Sequence, residues 1–252
     1  MAAARRAGSE LARGKRVAGL ALALVAIATH IAALAQNIGA KPSFAWTATE
    51  AASTVGLCLA LVAVIAAILK PAFTGPSAIM LALAGIVGAS TDEGARTFVS
   101  TQSGWELTVH IGLSIVAYTL VTVGATLAIA LTLLDRRLRR RQSLGWLSML
   151  PSVEALELGM FQAMGAGFAI LSLALFSGFF FVHDLFAQHL PHKVAFSLLS
   201  WLCLAILLIG RWRFGWRGRT ALYWILSTFA LLWLAYFGSK LVLESMLGRH
   251  WG

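Results

Sequence analysis

Six histidines, His30, His110, His183, His189, His192 and His250, are the residues of this sequence best suited to chemistry. An imidazole titrates near neutrality and its ring nitrogens bind transition metals or haem iron, so histidines gathered at one level of a fold form a candidate ligand set. Competing chemistry is missing from the sequence. It holds no nucleophile elbow, Walker loop, dinucleotide fingerprint or H-E-x-x-H motif. The two cysteines, Cys58 and Cys203, lie in separate apolar runs, form neither C-x-x-C nor C-x-x-C-H, and read as packing residues. Nothing in these patterns indicates turnover of a small substrate, and the expectation is a protein that is not an enzyme.

The elements that must position these histidines follow from composition. Of the 252 residues, 59% are hydrophobic and 12% charged, against roughly 45–50% and 25% in a soluble domain. A soluble core needs far less apolar material, so the excess faces lipid. Apolar stretches long enough to cross a bilayer fall at 17–36, 52–69, 76–90, 107–134, 158–182, 194–210 and 220–247. The third is short and contains Gly85 and Gly88. The predicted fold class is therefore all-α, a polytopic transmembrane helix bundle of about seven helices. Span one follows a basic segment like a signal peptide, but Gln36-Asn37-Ile38 offers no A-x-A cleavage site, so it reads as a retained helix.

The basic residues orient this bundle. Arg5, Arg6, Arg13, Lys15, Arg16, Lys70, Arg136, Arg137, Arg139, Arg140, Arg141, Arg211, Arg213, Arg217 and Arg219 occupy one set of alternate loops. Only Lys41, Arg96, Lys193, Lys240 and Arg249 occupy the other. The positive-inside rule then places the N-terminus inside and the C-terminus outside. It also accounts for the net charge of +10 without nucleic acid as a partner. Trp146, Trp212 and Trp216 fall at the inner interface, and Trp46 and Trp105 at the outer one. Residues 1–16 form a basic cytoplasmic tail, 17–247 the transmembrane domain and 248–252 a short outer tail.

In this arrangement every histidine lies in the outer half of the membrane or beyond it. His30 is 13 residues into span one, about 20 Å from its inner end. His110 opens span four, His183 closes span five, and His189, His192 and His250 lie outside. Small residues mark helix contact faces in membranes. Three stripes at helical spacing place a histidine on such a face: Gly19, Ala23, Ala26, His30, Ala33, Asn37; His110, Ser114, Ala117, Val121, Gly124, Ala128; and Gln162, Gly165, Ala169, Ser172, Phe176, Phe179, His183. Histidines pointing into a bundle are functional candidates. The plainer alternatives are interfacial side chains with wet tips for His110 and His183, and a satisfied hydrogen bond for His30. His189 and His192 read as solvated loop residues and His250 as part of the tail. Asp184 reads as a helix-end acid or as an orienting partner for His183. Lys240 and Glu244, four apart, read as a structural ion pair or as ligand recognition. Phe176, Phe179, Phe180 and Phe181 near the histidines favour a flat macrocycle over a compact metal site.

The segments "VHIGLSIVAYTL" (109–120), "SGFFFVHDLF" (177–186) and "GWRGRTALYW…LAYFGSK" (215–240) resemble the YpjD/HemX-type branch of the CcsA/CcmC-like cytochrome c assembly protein family. The likeness covers residues 17–247 and is most specific in "GWRGR" and "LAYFGSK". It implies an integral membrane protein that handles haem, with haem b held non-covalently and a membrane or periplasmic partner in cytochrome maturation. It also implies that His110 matches an axial-ligand histidine ahead of the family's central segment. His183 lies within that segment, and His30 in a helix where relatives carry a histidine; relatives also have one more helix ahead of span one. The signature W-G-x-x-W-x-W-D of the CcsA and CcmC proteins is absent, replaced by "SGFFFVHDLFAQHLPHK". The second ligand histidine would fall near Leu247, with His250 close by. The expected function is haem handling in the bacterial inner membrane, with His110 and either His183 or His30 as axial ligands to the iron. A membrane electron carrier between quinol and an outer acceptor, and an accessory subunit of a transporter, are the alternatives.

Overall fold

A computed structural model of the chain describes residues 2–39, 48–88, 105–181 and 191–235. Among these the helices are α1 (Ala2–Gly39), α2 (Ala48–Leu69), α3 (Thr74–Gly88), α4 (Trp105–Arg139), α5 (Val153–Phe181), α6 (Pro191–Phe214) and α7 (Gly218–Trp233). Short 3-10 turns lie at Pro71–Phe73 and Gly145–Met149, and no strand occurs among the described residues. Each expected span has its helix. The first six are long and apolar enough to cross a membrane, α3 together with the turn before it, while the described part of α7 is 16 residues long. The basic N-terminal segment is helical too, because α1 runs unbroken from Ala2.

Helix ends fall where local chemistry stops them. Lys70 precedes Pro71 and is extended, with φ −132° and ψ 94°, as the proline ring requires of its predecessor. That ends α2. At the end of α4, Arg141 adopts φ 50°, its N–H donates to the Leu138 carbonyl at 3.1 Å, and Gln142 N–H donates to Arg137 at 3.1 Å. This is a Schellman cap formed without glycine. After α6, Gly215 at φ 66° turns the chain so that the Trp216 ring folds back onto Gly210. A Cβ at position 210 would collide with that ring.

Helices α4, α5, α6 and α7 pack in sequence, and α7 returns against α4, closing a ring of four. The α2–α3 hairpin packs on α4 from outside, and α1 lies against α2. Helix α4 is central because its inward face is small: Ala117, Val121, Gly124 and Ala128 are buried. The Met164 side chain of α5 fills the space that a Cβ on Gly124 would take. Polar groups cross the remaining interfaces of the ring. Tyr118 OH donates to the Leu232 carbonyl at 2.6 Å, Ser200 Oγ to the Thr228 carbonyl at 3.1 Å, and Trp201 Nε1 to Ser172 Oγ at 2.8 Å. In lipid such bonds supply attraction that apolar contact alone does not.

The two ends of the bundle differ in chemistry. Lys70, the Arg136–Arg141 run and the arginines from Arg211 to Arg219 all lie at one end. Arg16 joins them there, its Nη2 donating to the Ala67 carbonyl of α2 at 2.6 Å. At the same end the carboxylate of Glu157, on the first turns of α5, lies 2.8 Å from Arg211 and 3.1 Å from Arg217. That triad fastens α5 to α6 and to the turn before α7.

Candidate functional site

At the opposite end, His110 lies five residues into α4, half-buried on the inward stripe that the sequence indicated. Its ring lies across Gly178 of α5, where a Cβ would come within 2.9 Å of the ring Cε1. Nδ1 is 3.0 Å from the Ala174 carbonyl oxygen and 3.0 Å from Ser177 Oγ, and Ser177 Oγ–H itself donates to the Ala174 carbonyl at 2.8 Å. A carbonyl oxygen can only accept, so Nδ1 beside it is best placed as the protonated, donating nitrogen. That tautomer leaves Nε2 with its lone pair, and no hydrogen bond to Nε2 occurs among the described residues. A ring fixed through Nδ1–H to a carbonyl, with Nε2 open, is the arrangement in which histidine binds a metal.

His30 occupies a separate crevice. Its Nε2 is 2.7 Å from Ser53 Oγ of α2, and its ring lies against Gly88 at the end of α3, where a Cβ would approach to 2.7 Å. Both histidines are at the end of the bundle away from the arginine clusters, since α2 and α4 begin there and α3 and α5 finish there. They are not brought together. His30 is enclosed by α1, α2 and α3, and His110 by α4 and α5. His183, His189, His250, Asp184, Lys240 and Glu244 lie outside the described residues. His192 falls in the first turn of α6 rather than in a loop, and its side chain is outside the described residues.

Two of the three expected stripes are corrected. On α5, Gln162, Ala169, Phe176 and Phe179 are exposed, Phe176 at 64% and Phe179 at 76%. The inward face of α5 is instead Leu156, Met160, Met164, Gly167, Leu171, Ala174 and Gly178. Small residues occur on both faces of α5, and α4 selects the one whose Met164 enters the gap at Gly124. Phe176 and Phe180 pack together at 4.5 Å between centroids on the outward face, so they do not wall a macrocycle around the described histidines. On α1, Gly19, Ala26 and Ala33 are exposed, while Ala23 and Ile27 are buried and Leu20, His30 and Leu34 half-buried. The helix is turned because it docks by one narrow face, which includes the larger Leu20, Ile27 and Leu34. Sequence reasoning missed Ser177, Gly178, Ser53 and Gly88. The signal lay in the Ser-Gly pair that opens "SGFFFVHDLF", whose partner on α4 only packing reveals.

Neither cavity of the described residues opens at His110. One of about 220 Å³ lies between α2 and α4, lined by Cys58, Leu61, Val116 and Thr119. Thr119 is nine residues beyond His110, half a turn round α4 at 100° per residue. Another of about 390 Å³ lies at the arginine-rich end. Among the described residues no group of three His, Cys, Asp or Glu side chains could hold a metal ion. Haem iron asks less of the protein, one or two imidazoles. The donor chemistry of His110 would suit one such imidazole, whereas Nε2 of His30 is engaged by Ser53.

A bundle of helices long and apolar enough to cross a bilayer, with a histidine held through Nδ1 toward one end, defines a polytopic membrane protein. The chain belongs to the cytochrome c assembly protein family, whose pattern matches residues 16–247. It is 34% identical over 134 residues to inner membrane protein YpjD of Escherichia coli, covering 53% of this chain and 51% of that protein. It is 32% identical over 142 residues to a 28.8 kDa protein of the nifR3-like 5' region of Azospirillum brasilense, covering 56% and 52%. With cytochrome c biogenesis protein CcsA of Chlamydomonas reinhardtii the identity is 25% over 147 residues, covering 58% and 40%. The matched part thus spans about half the length of the first curated relatives. No solved structure matches the chain. The family expected from residues 109–120, 177–186 and 215–240 is the family found.

Proposed function

We propose that this protein binds haem b non-covalently in the bacterial inner membrane and handles it for cytochrome biogenesis, without catalysing turnover of a small substrate. The observation that carries this reading is His110, seated on Gly178 with Nδ1 held by Ala174 and Ser177 and Nε2 open. Haem bound there supplies the iron porphyrin that cytochrome maturation consumes. His110 would hold the iron through Nε2, while Ser177 and the Ala174 carbonyl keep the ring from rotating and fix its proton on Nδ1. A second imidazole would come from His183, two positions after Phe181 in the sequence, or from His30 if it left Ser53 and its own crevice. The Lys and Arg asymmetry supports an outer location for this end and an inner one for the arginines. Lipid surrounds the bundle, and family membership supports a membrane or periplasmic partner in cytochrome maturation.

The test is an absorption spectrum of the purified full chain supplied with haem, repeated on single substitutions. A low-spin spectrum is expected. His110→Ala abolishes it, either His183→Ala or His30→Ala does the same, and His250→Ala does not. A wild-type protein with no Soret band after haem is supplied refutes the function. A spectrum unchanged by all three substitutions refutes the ligand assignment.

A further inference from the structure

The cavity at the arginine-rich end has a shape and chemistry that the haem reading does not use. It is a slot of about 390 Å³ between the turn after α2 and the outward face of α5, lined by Leu69, Lys70, Phe73, Leu158, Gly159 and Gln162 among others. Gly159 lies on its floor, where a Cβ would stand 3.3 Å from Leu127 Cδ1 and 3.4 Å from the Phe73 ring. Leu69 and Leu158 on its walls are 74% and 58% exposed, so it opens outward to the bilayer rather than into the bundle.

Depth orders its polar groups. Helix α5 has 29 residues, about 43 Å at ~1.5 Å per residue, against a hydrocarbon core of about 30 Å. Roughly 6–7 Å at each end therefore lies among the headgroups. Lys70 stands directly after α2, at headgroup level, with Nζ 5.8 Å from the centre of the Phe73 ring. Gln162, nine residues into α5, lies about 14 Å from its start, just inside the hydrocarbon. Its amide faces outward and hydrogen-bonds to nothing among the described residues. An amide so placed is costly unless something in the bilayer bonds to it. One molecule answers all three features: a phosphate for the ammonium, a glycerol backbone passing the apolar walls, and an ester carbonyl to accept from the amide, which leans toward the helix N-terminus and so toward the headgroups.

We propose that this slot is a binding site for one anionic phospholipid, with its phosphate at Lys70, its glycerol backbone along Leu69, Phe73 and Leu158, an ester carbonyl at the Gln162 amide and an acyl chain continuing deeper along α5. A neutral lipid satisfies Gln162 but leaves the charge of Lys70, the cation of the slot, uncompensated. The site is remote from His110 and stands whether or not the protein binds haem.

The full chain is reconstituted into mixed phosphatidylcholine and phosphatidylglycerol bilayers, extracted in mild detergent, and its bound lipid counted by native mass spectrometry. One phosphatidylglycerol per chain is expected, in preference to phosphatidylcholine. Lys70→Glu lowers the phosphatidylglycerol-bound fraction about fivefold or more, as loss of one basic side chain at an anionic surface implies. Gln162→Leu lowers it as well, with the fold intact because the side chain is exposed. Arg213→Glu, an equal charge change at the same end but outside the slot, leaves it unchanged. The proposal is overturned if wild type retains no phosphatidylglycerol, or retains phosphatidylcholine equally well. It is also overturned if Arg213→Glu costs as much as Lys70→Glu, or if a second copy of the chain occupies this face.

Discussion

Gly178→Ala separates a histidine that is held for ligation from one that merely packs. The added Cβ would lie 2.9 Å from Cε1, 3.3 Å from Nδ1 and 3.8 Å from Nε2 of His110. Carbon atoms in contact settle near 3.5–4.0 Å, so the ring must retreat by about 0.6–1 Å. The atoms closest to the intruding methyl are those whose position fixes the tautomer. Displacing Nδ1 by that amount takes its two 3.0 Å contacts, to Ala174 and Ser177, beyond useful hydrogen-bond length. The single Nδ1 proton is shared between those two acceptors, a bond worth about 0.5–1.5 kcal/mol, and loss of a partner that orients a metal-binding histidine typically costs 10–100-fold in affinity. Haem affinity should fall by about that factor in a Soret titration of the purified protein. Stability should not fall in parallel, because alanine is the better helix former by about 1 kcal/mol. Ser177→Ala, which leaves the Ala174 carbonyl in place, should give a smaller loss of about tenfold. The reasoning is refuted if Gly178→Ala binds haem as tightly as wild type while His110→Ala abolishes binding.

Three further outcomes are expected. A reporter fused after Trp251 should read as periplasmic, as the basic residues concentrated in alternate loops require; a cytoplasmic reading would reverse the side on which both described histidines lie. Because the tryptophan signature is absent from the sequence, the protein should fail to replace CcsA in attaching haem to a C-x-x-C-H apocytochrome. Covalent haem on the apocytochrome in such a complementation would disprove this. Glu157→Ala should lower stability by about 1 kcal/mol, since it strips the partly exposed Arg211 and Arg217 of their charged partner. An unchanged melting temperature in detergent would show that the triad is incidental.

The histidine face of α4 could be read from sequence because α4 is the central helix, buried around most of its circumference, so the stripe of Ala117, Val121, Gly124 and Ala128 is turned inward along with its neighbours. Helix α5 defeated the same rule. Gly165 and Ala169 compete with Gly167 and Gly178, and only the entry of Met164 at Gly124 decides between the faces. Aromatic residues carry no better signal in a membrane, because phenylalanine facing lipid loses nothing that burial in the bundle would recover. Phe176 and Phe179 accordingly point outward, although the sequence places them beside histidines.

By itself the sequence determined the seven helices, the boundaries of most to within a few residues, the separation of His30 and His110 from the arginine clusters, and the family. Each follows from the chemistry of single segments: an apolar run of bilayer length is helical wherever it is placed, and basic loops sort to one side. Tertiary structure alone decided which nitrogen of His110 is open, and that His30 and His110 sit in different crevices. Those properties depend on the Ala174 carbonyl, Ser177 and Gly178 lying 64 to 68 residues along the chain from His110, and on Ser53 and Gly88 closing around His30. Each histidine needs a glycine on the facing helix at its own depth. Depth is set by how helices slide and turn against one another, a quantity that no single segment contains.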